Sequence, residues 1–127
     1  MTVTDERDPL TEKVIGIAIG IHRALGPGLL ESAYEECFCY DLYEAGLQFR
    51  RQVPLPVVYK TVNLDCAYRV DVLVEDSLVI ELKAVEALTR LHEAQLLTYL
   101  KIGAYQKGLL INFNVPVLKD GVRRMVR

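Results

Sequence analysis

The stretch that decides the fold is Arg69-Val70-Asp71-Val72-Leu73-Val74-Glu75-Asp76-Ser77-Leu78-Val79-Ile80-Glu81-Leu82-Lys83. Two apolar runs flank a short polar break, the pattern of an antiparallel hairpin. The first strand is read from Cys66 to Val74. Side chains alternate along a strand, so Arg69, Asp71 and Leu73 share one face and Val70, Val72 and Val74 the other. In the second strand, Leu78 to Lys83, Leu78, Ile80 and Leu82 share one face and Val79, Glu81 and Lys83 the opposite one. Asp71, Glu81 and Lys83 then project together. Ionised groups inside apolar strands are costly unless they are paired or hold a metal. Two carboxylates on adjacent strands supply the oxygen ligands that Mg²⁺ prefers. Such a metal polarises a phosphodiester oxygen and lowers the pKa of a bound water. A lysine one strand repeat from Glu81 orients that water or stabilises charge developing on phosphorus. The rival reading of the triplet is a cross-strand ion pair on a solvated sheet face.

Upstream, Asp8-Pro9 opens a helix, with Asp as cap and Pro at the first helical position. Leu10, Val14, Ile17, Ile21 and Leu25 form its apolar stripe. Gly26-Pro27-Gly28 ends it, and a second helix runs from about Leu29 to Ala45, with Gly46 as a left-handed cap. Glu31, Tyr34 and Glu35 share a face near its start, where a first-turn acid is favoured by the helix dipole. Gln48 to Tyr59 reads as a strand, but Pro54 and Pro56 place it at an edge or break it. Lys60 to Asp65 reads as a turn.

Downstream, Thr89 caps a third helix, Arg90 to about Ile102. His92, Gln95 and Tyr99 fall at i, i+3 and i+7, one polar and aromatic face. A solvated helix face explains the same stripe. Lys107 to Phe113 is a buried strand that a helical crossover pairs parallel to Leu78–Lys83. Val117 to Arg127 reads as a small edge hairpin around Asp120-Gly121. The order α-α-β-β-β-α-β defines an α/β sandwich on a mixed sheet.

The chain has 127 residues, 51% hydrophobic and 25% charged, which suits a single domain with residues 1–9 as a loose lead-in. The net charge of −2 argues against a broad basic surface for polyanions. Residues 1–47 nevertheless carry nine acids against three bases, and residues 48–127 eight acids against twelve bases. A polyanion contact therefore belongs to the later residues. No apolar run is long enough for a membrane helix, which needs roughly 18–20 residues. The polar start lacks a secretory signal. Cys37, Cys39 and Cys66 have no paired spacing and read as small buried hydrophobes in a reducing cytoplasm.

Gly28-Leu29-Leu30-Glu31-Ser32-Ala33-Tyr34 resembles the signature of the bacterial GxxExxY protein family. The likeness continues through His22–Gly28, Arg51–Leu55, Tyr68-Arg69-Val70-Asp71, Glu81–Val85, His92–Leu100 and Gly108–Phe113, so it spans about residues 10 to 125. That family looks like a branch of the PD-(D/E)xK restriction-endonuclease-like superfamily. The resemblance implies that Asp71, Glu81 and Lys83 are the motif's two acids and its lysine. Val70 stands where the motif opens with Pro. Gln95 and Tyr99 match the QxxxY element of RecB-like exonuclease members, and Glu31 the helix acid that joins the metal site.

The expectation is a Mg²⁺- or Mn²⁺-dependent nuclease acting on DNA or RNA. Glu31, Asp71 and Glu81 hold the metal, with the Leu82 carbonyl as an extra ligand. Lys83 assists the water, and Gln95 and Tyr99 position site or substrate. Tyr34, Arg69 and His92 are weaker substrate contacts. Arg50 and Arg51 fit either a nucleic-acid backbone or a solvated strand edge. His22 reads as a packing or capping residue. The alternative is a non-catalytic binding or assembly module that keeps the fold and works through a partner protein or as a homodimer.

Overall fold

The computed structural model of the chain describes residues 2–65 and 68–127. In chain order its elements are β1 (Thr2–Val3), α1 (Pro9–Leu25), α2 (Glu31–Glu44), β2 (Phe49–Pro54), β3 (Val57–Tyr59), β4 (Val62–Leu64), β5 (Arg69–Val74), β6 (Leu78–Lys83), α3 (Arg90–Gly103), β7 (Lys107–Asn112) and β8 (Val122–Val126). Six strands form one sheet in the order β1-β8-β7-β6-β5-β2, and β3 and β4 pair apart as a second, two-stranded sheet. The β6–β7 pair is parallel, as α3 between them requires, and the other pairs are antiparallel.

The two sheet faces carry separate cores. Val14, Ala18 and Ile21 of α1 and Tyr34, Phe38 and Leu42 of α2 pack with Val72, Ile80, Leu82 and Ile111. Leu96, Tyr99 and Leu100 of α3 pack with Leu73, Val79 and Leu110 on the opposite face. Strand alternation thus sorts β6 as expected. Val70, however, joins Leu73 and Val79 rather than Val72 and Val74. The departure falls where β5 loses its regular pairing.

Local chemistry fixes the helix ends. Asp8 Oδ1 accepts from the Thr11 main-chain N–H at 2.9 Å, while Oδ2 takes the Thr11 hydroxyl at 2.8 Å and the Lys107 ammonium at 3.0 Å. After α2, Gly46 takes a left-handed φ of 73°. Its N–H donates to the Tyr43 carbonyl and that of Leu47 to the Leu42 carbonyl, the two bonds of a Schellman ending.

Several expectations change. The buried positions of α1 are Thr11, Val14, Ile15, Ala18, Ile21 and His22, and Leu25 is exposed. Glu12, Lys13, Gly16, Gly20 and Arg23 make the outward side, and the broad apolar arc opposite is buried about Ala18 rather than along the Leu10–Leu25 stripe. The Gln48–Tyr59 strand is both broken and marginal: it splits at Leu55-Pro56 into β2, the sheet edge, and β3. Lys60 to Asp65 is no plain turn, because Val62–Leu64 forms β4 and the chain reverses at Lys60-Thr61. Val117 to Arg127 makes no hairpin of its own. Leu118–Gly121 is a 3₁₀ turn, and β8 pairs with β7. Gly121 permits this, since a Cβ there would strike the Asn112 carbonyl. In the lead-in, Thr2–Val3 pairs with β8.

Cys37 and Cys39 are free, half-buried and buried. Burial pushes the Cys39 thiol up to about 11. Cys66, and with it the expected start of the first hairpin strand, lies outside the described residues. Among the described residues no helix is long and apolar enough to cross a membrane.

Candidate active site at an interrupted hairpin

The β5–β6 ladder runs Val74↔Leu78, Leu73↔Val79 and Val72↔Ile80, and its regular pairing stops there. Asp71 and Glu81 come next in register. On the other side of β5, the ladder to β2 runs from Phe49↔Val74 to Arg51↔Val72 and resumes only at Val53↔Val70. Gln52 occupies the gap opposite Asp71 with a left-handed φ of 50°, uncommon for a residue with a Cβ. Its side-chain amide donates to Glu35 Oε1 at 2.8 Å, and its carbonyl accepts from the Arg69 guanidinium at 3.3 Å.

Where the ladder opens, the two acids interlock. The Asp71 main-chain N–H donates to Glu81 Oε2 at 3.0 Å. The Leu82 main-chain N–H donates to Asp71 Oδ2 at 2.9 Å. Each carboxyl is therefore held by the backbone of the opposite strand. Glu81 is 5% exposed. Burial, and then the Asp71 charge, drive its carboxyl far above the usual carboxylate range, against the Asp71 N–H bond and the Lys83 charge. Two carboxyls this close hold one proton between them.

Lys83 is half-buried at the end of β6, and no ion pair joins its ammonium to an acid among the described residues. Its backbone is clamped. The Lys83 carbonyl accepts from the Phe113 N–H at 2.9 Å. The buried Asn112 amide bonds both the N–H and the carbonyl of Val85 at 3.0 Å. Asn112 and Gln52 are the positioning residues that strand alternation did not reveal. The prior signals were a polar residue ending an apolar strand and one interrupting an edge strand.

On α3, Tyr99 is nearly buried and accepts a hydrogen bond from the exposed Gln95 amide at 3.0 Å. Burial and then the nearby Glu81 charge raise its phenol, so Tyr99 borders the acid pair. His92 is instead occupied in a capping box. Its Nδ1 accepts from the Thr89 N–H at 3.0 Å, and its own N–H donates to Thr89 Oγ1 at 3.3 Å. The Nδ1 atom and main chain of this half-buried residue thus serve the start of α3.

Glu31 is exposed in the first turn of α2. That turn lies at the Lys83 end of the sheet, because Tyr34 stacks on Phe113 with ring centroids 4.3 Å apart. Even so, among the described residues no three His, Cys, Asp or Glu side chains gather closely enough to hold a metal ion. The structure brings Asp71 and Glu81 together and does not bring Glu31 to them. Tyr34 is fully buried, with its hydroxyl donating to the Gly26 carbonyl, so it is a core residue and no substrate contact. Arg69 is exposed. Arg50 pairs with Asp76, and Arg51 with Glu35 and Glu36. His22 is buried, its Nε2 2.7 Å from the Val115 carbonyl.

A mixed sheet between helices, with two acids and a lysine where its central hairpin opens, defines a restriction-endonuclease-like protein. A family model described as the PD-(D/E)XK nuclease superfamily matches residues 8–125, and the chain belongs to that superfamily. Its members generally use divalent metal ions, and membership implies nucleic acid as the partner. No curated protein and no solved structure matches the chain.

Proposed function

We propose that this protein is a Mg²⁺- or Mn²⁺-dependent phosphodiester hydrolase acting on DNA or RNA. We assign it to the GxxExxY branch of the superfamily, as a single nuclease-like domain in a reducing cytoplasm. The observation that carries this reading is the interlocked Asp71–Glu81 pair with the unpaired Lys83 ammonium beside it. The donor set fits a hard divalent cation. It is all oxygen, and it is a buried pair that cannot carry both negative charges without added positive charge.

Asp71 and Glu81 would hold the ion, with the Leu82 carbonyl as a further protein ligand. When bound, the ion polarises the scissile phosphate and acidifies a water. Glu81 gives up its proton on loading, since a ligating carboxyl must be ionised. The main-chain N–H groups keep both carboxyls in place, so no reorganisation is needed during reaction. Lys83 orients the attacking water and stabilises charge developing on phosphorus. Gln95 fixes the Tyr99 hydroxyl at the rim, where it positions the substrate backbone.

Lys83→Ala and Asp71→Asn are expected to lower cleavage of plasmid and single-stranded substrates in Mg²⁺ or Mn²⁺ by 10²-fold or more, with the circular dichroism spectrum unchanged. Full activity in both variants sinks the mechanism. A second reading is a nuclease-fold binding or assembly module working through a partner or as a homo-oligomer. It is favoured by the lack of a third acid at the pair among the described residues. It predicts no thermal stabilisation by Mg²⁺ or Mn²⁺, whereas a metal site gives a shift that Glu81→Ala abolishes.

A further inference from the structure

A groove of about 400 Å³ runs between α3 and the base of the β3–β4 hairpin, lined by Val57, Tyr68, Leu91, Gln95, Tyr99 and Ile102. Its size falls in the roughly 300–1,000 Å³ range of ligand clefts. Two of its large side chains stand in solvent: Tyr68 is 45% exposed and Leu91 77%. The Tyr68 ring is braced by Tyr99, with centroids 6.2 Å apart and planes tilted 56°. Tyr99 also borders the acid pair, so one residue of the groove wall links it to Asp71 and Glu81.

Several cations on the elements that form the groove have no ion-pair partner among the described residues. Arg69 precedes Asp71 on β5, Arg90 and Lys101 stand on α3, and Lys60 caps the hairpin over the Tyr59 ring at 5.3 Å. None of these four forms an ion pair among the described residues. Arg50, Arg51, Lys107 and Arg124 do, while Lys13, Arg23, Lys83, Lys119 and Arg127 elsewhere do not. The groove is thus apolar and aromatic at its floor, and the unpaired Arg69 adjoins its Tyr68 in the chain. That combination matches a strand whose phosphates meet the cations while a base lies on a ring.

We propose that this groove seats an unpaired nucleobase on Tyr68, which makes single-stranded nucleic acid the substrate class of the adjacent acid pair. The inference rests on the hydrolase reading above and names its substrate. A duplex buries its base faces in its own stack, so it offers Tyr68 and Leu91 nothing to cover. A single strand presents a base face and a flexible backbone together.

The test is binding, read by fluorescence anisotropy in Ca²⁺ with strand integrity checked on a gel. Three labelled probes are compared: a short oligothymidylate, an abasic strand of the same length, and a blunt duplex. The oligothymidylate is expected to bind about tenfold or more tightly than either of the others. Tyr68→Ala removes that preference, while Tyr68→Phe, which keeps the ring, retains it. Equal affinity for the thymidylate and abasic strands overturns the proposal. So does preference for the duplex, a Tyr68→Ala protein that still discriminates, or no measurable binding to any probe. Because the readout is binding, a protein that shows the base preference but cleaves nothing in Mg²⁺ or Mn²⁺ refutes the hydrolase reading alone. One that cleaves strands without base-dependent binding refutes the groove alone.

Discussion

Glu81 is protonated at neutral pH because it is buried and faces Asp71, and this has a consequence measurable without substrate. Its carboxyl rises from 4.5 to about 9 on folding. Between those values the folded state holds more protons than the unfolded one. Its contribution is complete below about pH 4.5 and is lost as pH climbs toward about 9. The slope is at most ~1.4 kcal/mol per pH unit, the limit for one proton. Urea titrations between pH 5 and 9 are expected to show falling stability in the metal-free protein, and Glu81→Gln should flatten the trend. An undiminished slope in the variant assigns the effect to other groups. At this scale strand alternation found Asp71, Glu81 and Lys83, because position along a strand determines face. It did not find Gln52, whose left-handed backbone is stabilised by Glu35 across a distant stretch of chain. Nor did it find the clamp of Asn112 on Val85, which depends on the parallel neighbour of β6.

At the scale of elements, caps and turns were legible where they depend on adjacent residues. Asp8-Pro9 is such a case. Burial raises the Asp8 carboxyl, but the bonds from Thr11 and Lys107 outweigh it and draw the value down to about 2. Its contribution is therefore present above pH 3.8 and lost as pH falls through about 2. Asp8→Ala is expected to cost ~1 kcal/mol at pH 7, the usual worth of a cap. The gap to wild type should shrink in acid, as read by thermal melts at pH 7 and pH 2.5. A constant gap shows that the carboxylate charge does not contribute. Other elements depended on distant contacts. The inward face of α1 is selected by α2 and the sheet, and β8 joins β7 because Met125 reaches the α3-side core. The residues from 57 to 64 alternate too briefly to announce a hairpin that packs little of its own surface.

The whole molecule redistributes the charge asymmetry of its sequence. Acids of the first 47 residues are tied to later cations: Asp8 to Lys107, Glu12 to Arg124, and Glu35 and Glu36 to Arg51. Seven of the nine cations that form no ion pair among the described residues still lie in residues 48–127, with Arg90 and Lys101 on α3. The net charge alone conceals this, since it sums over pairs that only the fold creates.

The hairpin that carries the acid pair also has a history in time. Val74 and Ser77 are joined through Glu75 and Asp76, both left-handed at φ of 52° and 51°, the form of a tight type I′ turn. Bringing Asp71 to Glu81 closes a loop of about ten residues, an event of roughly 10–100 ns. Pairing of Glu81 with Leu110 must await the whole α3 crossover. Asp76→Gly, which suits the left-handed position and loses only an exposed pair with Arg50, is expected to speed refolding several-fold and leave unfolding nearly unchanged. A stopped-flow chevron in which only the unfolding limb moves would contradict this order of events. The two acids that are buried against each other in the finished protein are thus among the first to meet. Refolding should accordingly be quicker in mildly acidic buffer, where Glu81, ordinarily near 4.5, is already partly protonated when the strands meet.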